Sequence, residues 1–290
     1  MSAIFGVIGG TGVYKMEGME VVNEVEMDTP FGKPSSPITL GKVEGLDCAF
    51  IARHGIGHCH LPTEVPYKAN IWALKKLGVK YLLSVSACGS LQEEMKPLDF
   101  VLVDQFIDRT KNRDATFFGN GLVGHVMFGD PVCDQMKSLV GEALKTALPN
   151  VTCHPKGTYV CMEGPAFSTR AESHMYRQWG GQVIGMTAGT EAKLAREAEM
   201  AWALCSMVTD YDCWRVEEEA VTVNDVLAVL KKNGDNVQVL VKEVIKRLKA
   251  DMFVSPHHDA LKMSLLTPAD KVPVQVKKDL EPIIGRYMPA

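Results

Sequence analysis

Two rhythms alternate along the chain. Short apolar runs recur at Ile4–Ile8, Cys48–Ala52, Tyr81–Val85, Phe100–Val103, Tyr159–Met162, Gln182–Gly185 and Ala201–Met207. Runs of this length, bounded by glycine or charged residues, predict strands buried on both faces. Between them lie segments with the helical period. In residues 64–77, Ala69, Trp72, Ala73 and Leu77 trace one face, and Lys75 and Lys76 fall outside it. Further helices are predicted at 136–148, 169–179 and roughly 190–199. Thr222 reads as an N-cap with Asp225 three residues on, ahead of the apolar face Val223, Val226, Leu227 and Leu230. Gly234 reads as an interruption before a second periodic run from Val237 to Leu248. Residues 251–270 read as an irregular connection, and an amphipathic helix at about 274–287 closes the chain. Residues 28–37, with three prolines and a glycine, read as a fixed turn between early strands.

Strands alternating with helices predict an α/β fold: a central, mostly parallel mixed sheet flanked by helices. No linker or repeat divides the chain, so 1–290 is expected to be a single domain with a C-terminal helical extension at about 251–290. Hydrophobic content of 46% and charged content of 23% are ordinary globular values. Net charge is −4 with no basic run, which argues against nucleic acid as a partner. The eight cysteines are scattered without a C-x-x-C pair, as expected of free thiols in a reducing, cytoplasmic setting. The first strand candidate leaves no room for a signal peptide. No apolar run approaches the ~20 residues of a membrane span, so no membrane association is expected.

The candidate chemistry gathers at strand ends. Gly9-Gly10-Thr11-Gly12 lacks the G-x-G-x-x-G spacing and helical sequel of a dinucleotide site, and no Gly-Lys-Ser/Thr follows. It presents backbone N–H groups and the Thr11 hydroxyl, which suits a phosphate; a tight turn that needs glycine explains it equally well. Arg53-His54, Ser86 and Thr187 each follow or end a predicted strand. A parallel sheet brings such ends together. Asp210 and Asp212 stand where the strand beginning at Ala201 ends. Ligands of open α/β sheets bind at carboxyl ends of strands. A carboxylate there can accept from an exocyclic amine or share a proton with a ring nitrogen. Taken alone, the pair is as readily a strand cap and a solvated turn residue. His257-His258 and His58-x-His60 lack matching metal ligands, and no G-x-S-x-G elbow occurs. Neither a metal nor a covalent serine is expected.

Several segments, in order, resemble the trimeric purine nucleoside phosphorylase family, above all its methylthioadenosine-cleaving branch. They are Ile8–Gly12, Asp28–Pro34, Ala52–Gly55, Tyr67–Leu74, Ala87–Ser90, Asp104–Thr110, Glu163–Phe167 and Thr209–Trp214. The resemblance implies the nucleoside phosphorylase fold and phosphorolysis of 5′-methylthioadenosine to adenine and 5-methylthioribose 1-phosphate. Inorganic phosphate would be co-substrate, with no other cofactor. It places phosphate on Thr11, Arg53, His54, Ser86 and Thr187, and ribose on Ala87 and Met186. The base falls on Phe167, Asp210 and Asp212, with Asp210 as catalytic acid, its pKa raised by burial beside Phe167. The methylthio slot falls on Val223, Val226 and a His125 lent by a neighbouring subunit of a trimer or dimer of trimers. Leu265 and Leu266 are further wall candidates. This chain departs from the pattern at Ser86, often threonine; at Ala166, often arginine; and at Thr190, where proline often precedes the glutamate. Two other readings remain: a phosphorylase of broader or 6-oxopurine specificity, and a non-catalytic nucleoside-binding protein on the same fold.

Overall fold

The protein, seen in a computed structural model, is described at residues 2–10, 16, 18–215 and 223–289, with 223–227 described by backbone alone. Among the described residues its framework is an 11-stranded mixed sheet. At the centre, β4 (Leu46–Ala52), β1 (Phe5–Gly9), β5 (Tyr81–Ser90) and β11 (Ala201–Asp210) lie side by side and parallel. They are buried along nearly their whole length, which is why they read as unbroken apolar runs. The hairpin of β2 (Glu20–Val25) and β3 (Ile38–Val43) extends one side antiparallel. On the other side β6 (Phe100–Leu102) pairs antiparallel with β11 and in parallel with the short β8 (Cys153–His154). β10 (Val183–Gly185) pairs antiparallel with the far end of β5 and carries β9 (Thr158–Cys161) and β7 (Gln105–Asp108) in parallel beyond it.

One detail of this topology makes a site. On one edge of β5 the ladder with β1 ends at Ser84, and the ladder with β10 begins at Gly89. Among the described residues, Val85 to Cys88 have no ladder partner on that edge. On the opposite edge β11 runs alongside as far as Gly89, with an irregularity between Val208 and Asp210. The sheet therefore opens mid-strand, next to the ends of β1, β4 and β11.

The helices α1 (Tyr67–Lys76), α2 (Asp134–Ala147), α3 (Arg170–Gln178) and α4 (Ala188–Glu197) fall within a few residues of the sequence expectation. Two expectations fail. Gly234 does not interrupt: α5 (Val223–Ala250) is continuous. A lone helical glycine costs about 1 kcal/mol relative to alanine. That is small beside the burial of Val237, Leu240, Val241, Val244, Ile245 and Leu248, all fully enclosed. The closing helix is instead two short ones, α6 (Val274–Asp279) and α7 (Glu281–Ile284). Pro282 lacks the N–H to continue α6, and its ring would meet the carbonyl four residues back. The segment 251–270 holds a 3₁₀ turn at Pro256–Asp259, capped by Ser255. The C-terminal segment is tied down by Glu199, 3% exposed, whose Oε1 accepts from Leu261 N–H (2.8 Å), Arg286 (2.9 Å) and Tyr287 O–H (2.7 Å).

Candidate functional site

Arg53 follows β4 and is only 2% exposed. Its backbone N–H donates to Gly9 O at 2.9 Å, placing it beside the end of β1. Its Nη1 donates to Val85 O at 2.9 Å, at the start of the unpaired stretch of β5. Nε and Nη2 donate to the two carboxylate oxygens of Glu191 on α4, the latter at 2.9 Å. Glu191 is 1% exposed, accepts the Ser84 hydroxyl at 2.7 Å, and Ser84 accepts the Trp202 indole N–H at 2.8 Å. Burial works against the guanidinium charge, and Glu191 outweighs it, holding the Arg53 pKa above its usual value. The Nε–Nη2 edge of the guanidinium, the edge suited to a bidentate grip, thus faces Glu191, and these bonds leave one N–H on each of Nη1 and Nη2 unused. Sequence reasoning gave Glu191 no role. The signal was there: a glutamate one helical turn after Thr187, inside an otherwise apolar helix face.

His54 lies next. Its ring stacks on His58 with centroids 4.3 Å apart and planes 17° from parallel. Nδ1 meets the carbonyl of His60 at 2.9 Å. Burial pushes its pKa down to about 4, with Arg53 and His58 adding to the effect. Ser86 and Ala87 occupy the unpaired stretch of β5; among the described residues the Ser86 hydroxyl donates only to its neighbour Ala87 O, at 3.1 Å, and Ala87 is exposed. Thr187, 3% exposed, is the N-cap of α4 and makes no side-chain cap bond. Met186 packs on Gly164, where a Cβ would stand 2.6 Å from its Sδ; Gly164 also has φ +71°, so only glycine fits. Gly164 belongs to a loop braced by Glu163, whose carboxylate takes the N–H groups of Lys111 and Asn112 and the Arg113 guanidinium. Glu163 and Arg113 are further residues whose contribution sequence reasoning did not assign.

Asp210 ends β11, half-buried. Oδ2 accepts the Thr209 hydroxyl at 2.6 Å and Oδ1 accepts Asp212 N–H at 2.8 Å. It pairs across to Gly89, where a Cβ would lie 3.1 Å from Asp210 Oδ1 and 3.4 Å from Asp212 Cβ. Burial, aided by the Asp210 charge, pushes the Asp212 carboxyl above the usual range. Beneath lies a small apolar cluster of Leu91, Val160, Met162, Tyr176, Ile184 and Trp214. Phe167 is 82% exposed, so its ring does not enclose Asp210; it offers an open aromatic face.

Arg53, Ser86, Ala87, Asp210 and the end of β1 therefore meet around one stretch of β5, with Met186 and Thr187 following β10 alongside. Thr11 lies outside the described residues, as do the side chains of Val223 and Val226 at the start of α5. His125 stands elsewhere along the chain's pairings. It is exposed, donates its N–H to Ser264 O at 2.8 Å, and adjoins Gly124, which bridges to Leu265. Leu265 is half-buried and Leu266 is 62% exposed. Among the described residues, no group of three or more His, Cys, Asp or Glu is placed to share a metal ion. No described helix is long and apolar enough to cross a membrane.

A carboxylate pair, an aromatic face and an anion-friendly strand end, set around one opening, can hold a base at one side and an oxyanion at the other. Known proteins carry the same arrangement of sequence. The model of the phosphorylase superfamily matches residues 4–246. An S-methyl-5′-thioadenosine phosphorylase of Thermosynechococcus vestitus is 54% identical over 289 residues, covering 99% of this chain and 100% of that protein. Among solved structures, a methylthioadenosine phosphorylase from an antarctic soil metagenomic library superposes with a TM-score of 0.94 at 47% identity, over 97% of this chain and 99% of that one. A variant adenosine/methylthioadenosine phosphorylase of Schistosoma mansoni, in complex with methylthioadenosine, superposes at 0.80 with 36% identity, over 86% and 93%. With a family model matched over residues 4–246 and relatives matched along nearly the whole chain, the chain belongs to the phosphorylase superfamily.

Proposed function

We propose that the protein cleaves 5′-methylthioadenosine with phosphate, giving adenine and 5-methylthioribose 1-phosphate. The observation that carries this reading is the placement of Ser86 and Gly89 on one strand, with Arg53 at the open edge by the first and Asp210 across from the second. Three residues of strand span on the order of 10 Å, room for a pentose between oxyanion and base. The names of the matched relatives agree with this assignment.

In this reading the C1′–N9 bond breaks and a bond from C1′ to a phosphate oxygen forms. The sugar passes through an oxocarbenium-like state while electrons collect on the purine. Asp210 supplies a proton, or a strong hydrogen bond, at N7 and so stabilises the leaving base. Asp212 helps read the 6-amino group, and Phe167 packs on the ring. Phosphate, held by Arg53, His54, Ser86, Thr187 and Thr11, is the nucleophile. Its negative charge faces the cationic sugar. Ala87 and Met186 line the ribose. Val223 and Val226 form the methylthio slot. Neither metal nor redox chemistry enters.

The protein is taken to act in the cytoplasm as a homo-oligomer, a trimer or a dimer of trimers, in which His125 completes a neighbour's slot. Its exposure, beside exposed Val123, Met127, Met263 and Leu266, supports that arrangement. Co-assembled His125→Ala and Asp210→Asn chains should regain some intact sites, because one pocket draws those two residues from different chains. No recovered activity in well-mixed oligomers would count against a shared pocket. The reaction itself is tested by phosphate-dependent release of adenine from methylthioadenosine, with adenosine and methylthioinosine alongside. Turnover without phosphate, or a preference for methylthioinosine, would overturn the assignment.

A further inference from the structure

His54 has a fixed hydrogen-bond polarity. Its Nδ1 lies 2.9 Å from the His60 carbonyl oxygen. A carbonyl only accepts, so Nδ1 carries the hydrogen, and in the neutral ring the lone pair is on Nε2. The pose is held by the stack on His58 and by the turn at Gly55, φ +77°, where a Cβ would run into Cys59 Sγ and Ser35 O. Nε2 has no hydrogen-bond partner among the described residues. The charged and titratable groups facing the ring are Arg53 and His58, which oppose its protonation, and Glu191, which favours it but is engaged by Arg53. Burial opposes protonation more than either neighbour does, so the imidazole is neutral at neutral pH.

Arg53 in turn is neutralised by direct contact with Glu191. The described side chains of the pocket thus offer one closed ion pair, hydroxyls and an imidazole lone pair, with no unpaired cation. That set fits an oxyanion that carries a hydrogen. Its deprotonated oxygens can meet the outer Arg53 N–H groups and the Ser86 hydroxyl, while its O–H points at Nε2. At neutral pH inorganic phosphate carries at least one such hydrogen and sulfate carries none, although the two match in size and shape.

We propose that His54 selects hydrogen phosphate over fully deprotonated oxyanions by accepting the P–O–H hydrogen bond at Nε2. This rests on the reading of Arg53, His54, Ser86 and Thr187 as the phosphate pocket. Against sulfate, the imidazole lone pair would face an oxygen lone pair in a partly desolvated site. A site built around a hydrogen bond discriminates strongly against the analogue that lacks the hydrogen. The expected preference is at least about tenfold, the cost of one unmade bond.

The test is sulfate as competitive inhibitor against phosphate, near neutral pH, at ionic strength fixed with chloride. In the wild type the sulfate Ki should exceed the phosphate KM by at least about tenfold; this needs no variant. In His54→Ala the phosphate KM should rise about tenfold or more while the sulfate Ki moves little. His54→Lys, a donor without a lone pair, should shift preference toward sulfate. Equal wild-type binding of the two anions, or parallel movement of both constants in the variants, would overturn the proposal and leave the pocket assignment standing. An unchanged phosphate KM in His54→Ala would instead remove His54 from the pocket altogether.

Discussion

Glu191→Gln tests whether the buried ion pair is what readies Arg53 for an anion. Both side chains are almost wholly enclosed, at 3% and 2% exposure. Glutamine keeps the volume and one acceptor, but it leaves the guanidinium charge uncompensated and turns an NH₂ toward Arg53 or Ser84. Removing one partner of a buried pair costs about 3–5 kcal/mol. For a chain of this length that is a fall in Tm of about 5–8 °C. Phosphate should restore part of the loss, because a bound anion supplies the missing negative charge; its stabilising effect in the variant should exceed that in the wild type. Turnover should fall, since Arg53 would no longer be held in one pose. Replacing both partners, Arg53→Met with Glu191→Leu, should recover only part of the Tm, because Val85 O and the Ser84 hydroxyl lose their partners, and should abolish the specific response to phosphate. The assay is thermal unfolding with and without phosphate, against chloride of equal ionic strength, paired with steady-state kinetics. A Glu191→Gln variant that melts within about 1 °C of wild type, a small fraction of the shift expected for a broken buried pair, would refute the argument. So would one that responds to phosphate no more than wild type does.

Three further outcomes follow from other parts of the structure. Asp210→Asn cannot carry a proton to N7, so kcat on methylthioadenosine should fall about 10²–10⁴-fold while the relative rate on methylthioinosine rises; an unchanged amino-to-oxo preference would show that Asp210 neither reads nor protonates the base. Glu197, whose pKa burial pushes up to about 7, keeps its proton in the folded state over a range in which the unfolded chain has lost it. Its contribution to stability should therefore decline as pH rises from about 4.5 toward 7, and Glu197→Gln should gain on wild type by on the order of 2 kcal/mol across that window in urea unfolding; a constant difference at both ends would contradict this. Glu199→Ala removes the shared acceptor of Leu261, Arg286 and Tyr287, so limited proteolysis should clip the segment after residue 255 faster than in wild type.

The parts of the fold legible in the sequence are those whose burial is extreme. β1, β4, β5 and β11 are enclosed on both faces and so read as plain apolar runs. β2 was illegible because it is exposed along most of its length; Glu20 to Glu24 carry no alternation for a pattern to find. β7, half-exposed and four residues long, is held by its pairing with β9 rather than by its own composition. Gly234 misled because helix propensity is a local quantity, whereas the face from Val237 to Leu248 is decided by tertiary packing.

The site shows the same division. Asp210, Arg53 and Ser86 were legible as chemistry at strand ends, because a parallel sheet gathers such ends. What could not be read was which neighbour each group already engages. Arginine in a sequence looks like a free fork; here its fork closes on a glutamate 138 residues away. That contact exists because β5 changes partners mid-strand, from β1 at Ser84 to β10 at Gly89, leaving Val85 O to be capped by a side chain. A buried carbonyl at a strand edge must find a donor. Arg53 supplies it, but a buried guanidinium needs a counter-charge. Glu191 provides that from α4, the helix that Thr187 begins. The opening in the sheet, the neutralised arginine and the seat of Thr187 are therefore consequences of one topological event. In the proposed reading the cation that an anion meets there, Arg53, is already balanced by Glu191, so the anion's protonation state, and not its charge alone, would decide how well it fits.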